Sequence, residues 1–186
     1  MGYEYRHRRG LEGDVMLPYL RRMLGRARVV TPGSASYSPG TFSFVVPEYN
    51  TLTIDLKGAG GGGASMYTNA ASGTPTQISA LGLVANGGGG AYTSGSRTYA
   101  GAAGGASGGD TNITGGGGAG GDPGGSPVGI YYNPGGAGGR LIKTYTYGAS
   151  GAPVPGTSLT ISVGAGGAGA GSGGAGGSGS ANLSWS

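Results

Sequence analysis

The residues able to carry acid–base or metal chemistry are few. The chain has a single histidine, His7, and no cysteine. A histidine-based triad, a multi-histidine zinc site, a thiol nucleophile and a disulfide framework are therefore excluded within one chain. Beyond the first thirty residues the carboxylates are Glu48, Asp55, Asp110 and Asp122. A glycosidase-like pair would have to come from these four. Asp55 occupies an outward position of an alternating segment, and Asp110 and Asp122 each follow two glycines, as loop residues do. GxGxxG occurs at 58–63, directly after a strand pattern, where a dinucleotide fingerprint would lie. At this glycine density the match arises by chance, no helix pattern follows, and no acidic residue stands about twenty positions on. No GxxxxGK phosphate loop occurs. No catalytic residue, metal site or cofactor is expected, and the chain reads as a non-enzyme.

The chemistry left over is that of contact. Large side chains collect in short stretches between glycine runs: Tyr67 and Asn69, then Tyr92, Arg97 and Tyr99, then Asn112, then Tyr131 and Tyr132, then Tyr145 and Tyr147. Tyrosine offers large contact area at low entropy cost, and with serine, asparagine and glycine it is what antibody loops use. These ten residues are the candidate recognition surface. The competing reading is that the tyrosines cap glycine segments and shield their backbone from water.

The elements that would hold such loops are unusual. Of 49 glycines, 43 follow position 57, and the longest run, 163–179, is ten glycines in seventeen residues. Ordering a glycine costs roughly 1 to 2 kcal/mol and buries no side chain in return. An isolated run should be disordered. Its other residues keep a partial period of three, Ala165 and Ala168, then Ser172, Ala175 and Ser178. Three residues per turn is the polyproline-II period, whose backbone bonds only sideways. Missing Cβ atoms let such strands approach closely. The sequence therefore predicts a bundle of polyglycine-II helices drawn from runs at 58–63, 87–90, 101–109, 115–125, 135–139 and 164–179.

Strands are predicted to frame the bundle. TFSFVV (41–46) and TLTIDLK (51–57) alternate apolar and polar residues around PEYN, and read as a hairpin. Leu159, Ile161 and Val163, and then Leu183 and Trp185, repeat the alternation. The expected fold is mainly β and irregular, a small β-sandwich base with a polyglycine-II bundle, preceded by a short basic helical arm. Its divisions are 1–30 as the arm, 31–40 as a linker, and 41–186 as the glycine-rich domain.

The arm carries all the net charge. Residues 1–30 hold seven arginines against Glu4, Glu12 and Asp14, the whole of the +4, while the other four basic and four acidic residues cancel. Leu17, Leu20 and Leu24 share a helical face flanked by Arg8, Arg9, Arg21 and Arg22, too small for a core and suited to docking. A basic tail with little structure is the plainer alternative. Arginine clusters also contact phosphates, but no nucleic-acid fold motif accompanies this one, and no nucleic-acid partner is expected. No apolar run approaches the roughly 20 residues of a membrane span, and no signal-peptide pattern opens the chain, so cytoplasmic synthesis without export by that route is expected.

The frame 38–47, SPGTFSFVVP, the segment 51–63, TLTIDLKGAGGGG, and the closing 156–169, GTSLTISVGAGGAG, together resemble the glycine-rich domain of bacteriophage tail fibre and tail tip proteins. The resemblance covers about residues 37–186. The chain is also similar to the receptor-binding tip adhesins of T-even phages, and that likeness implies a polyglycine-II bundle whose distal loops touch the bacterial surface. It departs at the front, where a thirty-residue basic arm stands in place of a larger attachment domain. The expectation is a virion protein of tail fibre, tail tip or decoration type, present in multiple copies. It would anchor to other phage structural proteins by residues 1–30 and meet a bacterial surface glycan or outer-membrane protein through its loops. Two alternatives stay open: a purely structural virion or connector protein, and, more remotely, an ice-binding protein.

Overall fold

Alternation with a period of two forces one face of a strand into a core, and the fold follows that rule first. The structure is a computed structural model that describes residues 29–65, 67–94, 97–122 and 133–186. The basic arm, with Arg8, Arg9, Leu17, Leu20, Arg21, Arg22 and Leu24, lies outside the described residues, as do Tyr131 and Tyr132. The chain is mainly β, and no α-helix occurs among the described residues.

The described residues form twelve strands in chain order: β1 (Gly33–Tyr37), β2 (Gly40–Val45), β3 (Thr51–Lys57), β4 (Thr76–Ile78), β5 (Leu83–Ala85), β6 (Tyr92–Ser94), β7 (Arg97–Tyr99), β8 (Ala106–Ser107), β9 (Thr111–Ile113), β10 (Arg140–Thr146), β11 (Ser158–Val163) and β12 (Ser180–Trp185). One five-stranded sheet has the order β1-β12-β3-β10-β9, a second has β2-β11-β4-β5-β8, and β6 and β7 form a separate ribbon. All named pairings are antiparallel. Leu52, Ile54 and Leu56 of β3, Leu141 of β10 and Leu183 of β12 meet Phe44, Ile78, Leu83, Leu159, Ile161 and Val163 of the other sheet in one buried cluster. Each fully buried aliphatic side chain contributes about 1.5 to 3 kcal/mol.

Three expectations are corrected here. The hairpin of 41–57 does not form: β2 pairs with β11 in one sheet, and β3 pairs with β10 and β12 in the other. Val46 and Tyr49 are fully buried, and the Tyr49 hydroxyl donates to the Pro153 carbonyl at 2.7 Å, so the connector crosses the end of the core. The stretch expected as a linker contains β1, whose Ala35 and Tyr37 pack on the core. Residues 143–147, expected as a loop, belong largely to β10, a strand lying between β3 and β9.

Past β3 the rule changes. Every residue of 58–65 is buried, and all eight of its amide groups donate to backbone carbonyls of other segments. The recipients rotate with a period of three. Gly58, Gly61 and Ala64 donate to Gly139, Gly136 and Asn133; Ala59 and Gly62 to Thr74 and Ala71; Gly60 and Gly63 to Gly177 and Gly174. The carbonyls keep the same period, Gly58 and Gly61 accepting from Gly118 and Gly121, Ala59 and Gly62 from Gly88 and Ala91, and Gly60 and Gly63 from Gly167 and Ala170. Six segments therefore surround one. Partner numbers fall along the first three and rise along the last three, so three neighbours are antiparallel and three parallel.

The six also bond to one another in a closed ring. Segment 70–74 donates to 86–91 and 164–170, segment 133–139 to 86–91 and 117–122, and segment 173–179 to 117–122 and 164–170. Up and down directions alternate around it. An eighth segment, 101–105, sits outside the ring against 86–91 and 133–139. Glycine is dictated by proximity: a Cβ on Gly60, Gly61, Gly62 or Gly63 would collide with the carbonyl oxygen of Ala119, Gly89, Ala168 or Asp122, respectively. A buried amide without a partner costs about 1 to 3 kcal/mol, so complete pairing is the condition for such packing. The GxGxxG motif lies in the central segment, where no amide is left over to hold a phosphate.

Candidate recognition surface

Alternating directions decide where the loops go. Segments 58–65, 86–91, 117–122 and 164–170 lead away from the sandwich, and 70–74, 101–105, 133–139 and 173–179 return to β4, β8, β10 and β12. The described ends of the turns between them fall at the end remote from the sandwich. That tip holds Tyr67 and Asn69 from the first turn and strands β6 and β7 from the second.

In the hairpin Tyr92 stands opposite Tyr99, and Ser94 opposite Arg97. The two tyrosine rings stack with centroids 5.3 Å apart at 19°. Such a cross-strand pair contributes roughly 0.2 to 1 kcal/mol to the ribbon. It also displays two ring faces side by side, for Tyr92 is 49% and Tyr99 40% exposed. Arg97 is exposed beside them. Thr93 and Thr98 point the other way, Thr98 being buried. The Thr93 amide donates to Asn69 Oδ1 at 2.6 Å, and its hydroxyl to the Thr68 carbonyl at 3.2 Å. Asn133 Nδ2 donates to the Thr98 carbonyl at 2.6 Å, so two separate turns clamp the ribbon from below. Tyr67, 60% exposed, stands on a left-handed backbone with φ 55°, a conformation uncommon outside glycine. Ser65 Oγ accepts from the Ser172 amide at 2.9 Å, tying the first turn to the turn at 170–173.

Five of the ten sequence-predicted contact residues, Tyr67, Asn69, Tyr92, Arg97 and Tyr99, are thus gathered at the tip, although Asn69 spends its side-chain oxygen inside it. Three lie elsewhere. Asn112 sits on edge strand β9, where its side chain closes a turn onto both backbone groups of Gly109, at 3.1 and 3.0 Å. Tyr145 is 8% exposed in the sandwich core, and burial raises its hydroxyl pKa above the ordinary tyrosine value. Tyr147 lies past the end of β10, at the opposite pole, its ring edge-on to Tyr49 at 6.0 Å. The clamping residues Thr68, Thr93, Thr98 and Asn133 lie in the same loop stretches but were not among the ten, because a small polar residue gives no local sign of the partner it will hold.

The tip can stack, hydrogen-bond and place one guanidinium. Among the described residues no group of three or more His, Asp or Glu side chains is arranged to hold a metal ion. Two ion pairs brace the sandwich. Arg140 meets Asp55 in a fork at 2.9 and 2.8 Å, which raises the guanidinium pKa, and Lys143 meets Asp110 at 2.5 Å. The lysine, together with the Thr144 amide, holds the Asp110 carboxyl below its ordinary value. Among the described residues no helix is long and apolar enough to cross a membrane. Compared with protein-family models, with curated proteins and with solved structures, the chain gives no match in any of the three.

Proposed function

We propose that the eight glycine segments are polyglycine-II helices and that the chain is a non-enzymatic bacteriophage virion protein, of tail fibre, tail tip or decoration type. In this reading residues 1–30 anchor it to other structural proteins of the particle, and the tip meets the bacterial surface. The helix assignment draws on three features: hydrogen-bond partners that rotate every three residues, six neighbours around one segment, and no positive φ among the glycines of the eight segments. Negative φ with lateral bonding is the signature of a left-handed three-residue helix.

The observation that carries the functional reading is the tip itself. An exposed, clamped pair of tyrosines beside Arg97 crowns a shaft sealed by its own backbone. A stiff mount removes the ordering cost that a free loop would meet on binding. Several copies on one particle would then turn weak contacts into lasting attachment. The test is a Tyr92→Ala, Arg97→Ala, Tyr99→Ala triple variant in the particle. Adsorption to the host should fall while the amount of the protein per particle stays at wild-type level. Unchanged adsorption removes the hairpin from the contact site.

The second reading, a structural virion or connector piece whose loops are incidental, has its own support: Asn69 and Asn133 direct polar groups inward to the ribbon. Exchanging residues 92–99 between related proteins separates the two, since host range follows the loop only if the tip binds.

A further inference from the structure

We infer that the chain pairs with a second copy of itself through the free edge of β2, joining the second sheets of the two copies across a two-fold axis at Ser43. The inference goes beyond the virion reading and does not rest on it.

The two flanks of the sandwich are unlike. On one, the outermost strands β8 and β9 have two and three residues, and Asp110 between them meets Lys143. Short strands and charges are how sheet edges are ordinarily kept from pairing. On the other flank the outermost strands are β1 and β2, five and six residues long, and the stretch 33–45 that contains both has no charged residue.

The direction of the free backbone groups follows from Val46. Its amide donates to the Thr157 carbonyl at 2.9 Å and its carbonyl accepts from the Gly156 amide at 2.8 Å, so both face the β11 side. Hydrogen-bonding direction alternates along a strand, so Phe44 and Phe42 also face β11, while Thr41, Ser43 and Val45 face away from it. Among the described residues nothing meets those outward amides and carbonyls. The three side chains are exposed, Val45 at 61%.

The pattern itself sets the occupant. With Ser43 opposite Ser43 of the second copy, Thr41 stands opposite Val45, and every outward amide of the three meets a carbonyl. A two-fold contact of this kind uses the same patch on both subunits. Residues near the axis meet their own kind, so a charge there would repel its copy, and this edge has none. On the inner face the same register sets Phe42 beside Phe44 of the second copy. That covers a ring which in the single chain is only half-buried, against Tyr37 at 4.9 Å. Antiparallel pairing sends the two tips in opposite directions, so the pair is two-ended, the geometry of a connector.

The test is sedimentation of the purified full-length chain at rising concentration, which should show monomer and dimer in equilibrium. Ser43→Lys puts two ammonium groups at the axis and should raise the dissociation constant about tenfold or more. Thr160→Lys, beside Ser43 on β11 and equally exposed, should leave it unchanged. Melting temperatures measured in parallel show whether each variant folds. The chain has no cysteine, so Ser43→Cys gives a second readout: facing Cα atoms about 5.5 Å apart lie within disulfide reach, and oxidation should yield a covalent dimer that Thr160→Cys does not form. A wild-type chain that stays monomeric at every concentration overturns the inference. So does a dimer that a folded Ser43→Lys variant leaves intact, or one that Thr160→Lys weakens as much, which would give the contact to the outer face of the sheet.

Discussion

The sandwich and the glycine assembly are consecutive parts of the same strands, yet they constrain sequence in opposite ways. In the sandwich each inward position needs volume: Leu52, Ile54, Leu56 and Ile161 are fully buried, and every methyl group lost leaves a gap. A few residues further along, the central segment needs the absence of volume, because carbonyl oxygens of neighbouring segments occupy the space a Cβ would take. One part is held by apolar side chains pressed together, the other by amides and carbonyls that between them find partners in six directions. The difference shows that burial does not imply hydrophobicity: residues 58–65 are all buried, yet they are five glycines, two alanines and a serine.

The sharpest way to break this contrast is Gly61→Val. Its side chain would enter the Gly89 carbonyl, and no folded protein should be recovered, as judged by circular dichroism of the soluble fraction. Gly176→Ala and Gly174→Ala refine it within a single segment. A Cβ at Gly176 collides with the Gly60 carbonyl, whereas at Gly174 the nearest atom is the Asp122 amide nitrogen at 3.3 Å. Chemical denaturation should show a severe loss for the first and a stability within about 1 kcal/mol of wild type for the second. Ile54→Ala probes the sandwich side and should cost about 2 to 5 kcal/mol in the same measurement. If Gly176→Ala proved milder than Ile54→Ala, the forbidden-volume rule would fail.

The smallest effects belong to the ion pairs on the sheet. Arg140→Ala removes a half-exposed fork with Asp55 and should cost no more than about 1 kcal/mol. Asp110 supplies a pH signature. Its carboxyl sits below the ordinary 3.8 because Lys143 and the Thr144 amide favour the charged form, so its contribution is present above that value and fades as pH falls through the folded one. Acid titration of Asp110→Asn should show a shallower loss of stability in that window than wild type.

The strands that carry aliphatic side chains in alternation, β3, β11 and β12, were legible in the sequence because period-two burial leaves a trace one residue at a time. β10 was not, since Lys143 occupies an inward register position between Leu141 and Tyr145 and breaks the pattern. Its charge is carried to the sandwich edge, where Asp110 meets it. The crossing at 46–50 imitates a turn, with Pro47, Glu48 and Asn50, and nothing local discloses that Tyr49 is buried. Strands β4, β5 and β8 have three residues or fewer and exist because the glycine segments deliver them to the sheet. At the tip, residue type found the tyrosines and the arginine. Their grouping depended on the up-and-down order of segments, which composition does not encode.

The rotation of partners every third residue has a consequence for how such a chain can change length. Adding or deleting one or two residues within a segment would turn all its later amides toward the wrong neighbour, so insertions there must come in threes. Lengthening the shaft would demand matched triplets in every segment at once. The turns at the tip obey no such quantum, and variation in length is channelled into the end of the molecule remote from the sandwich.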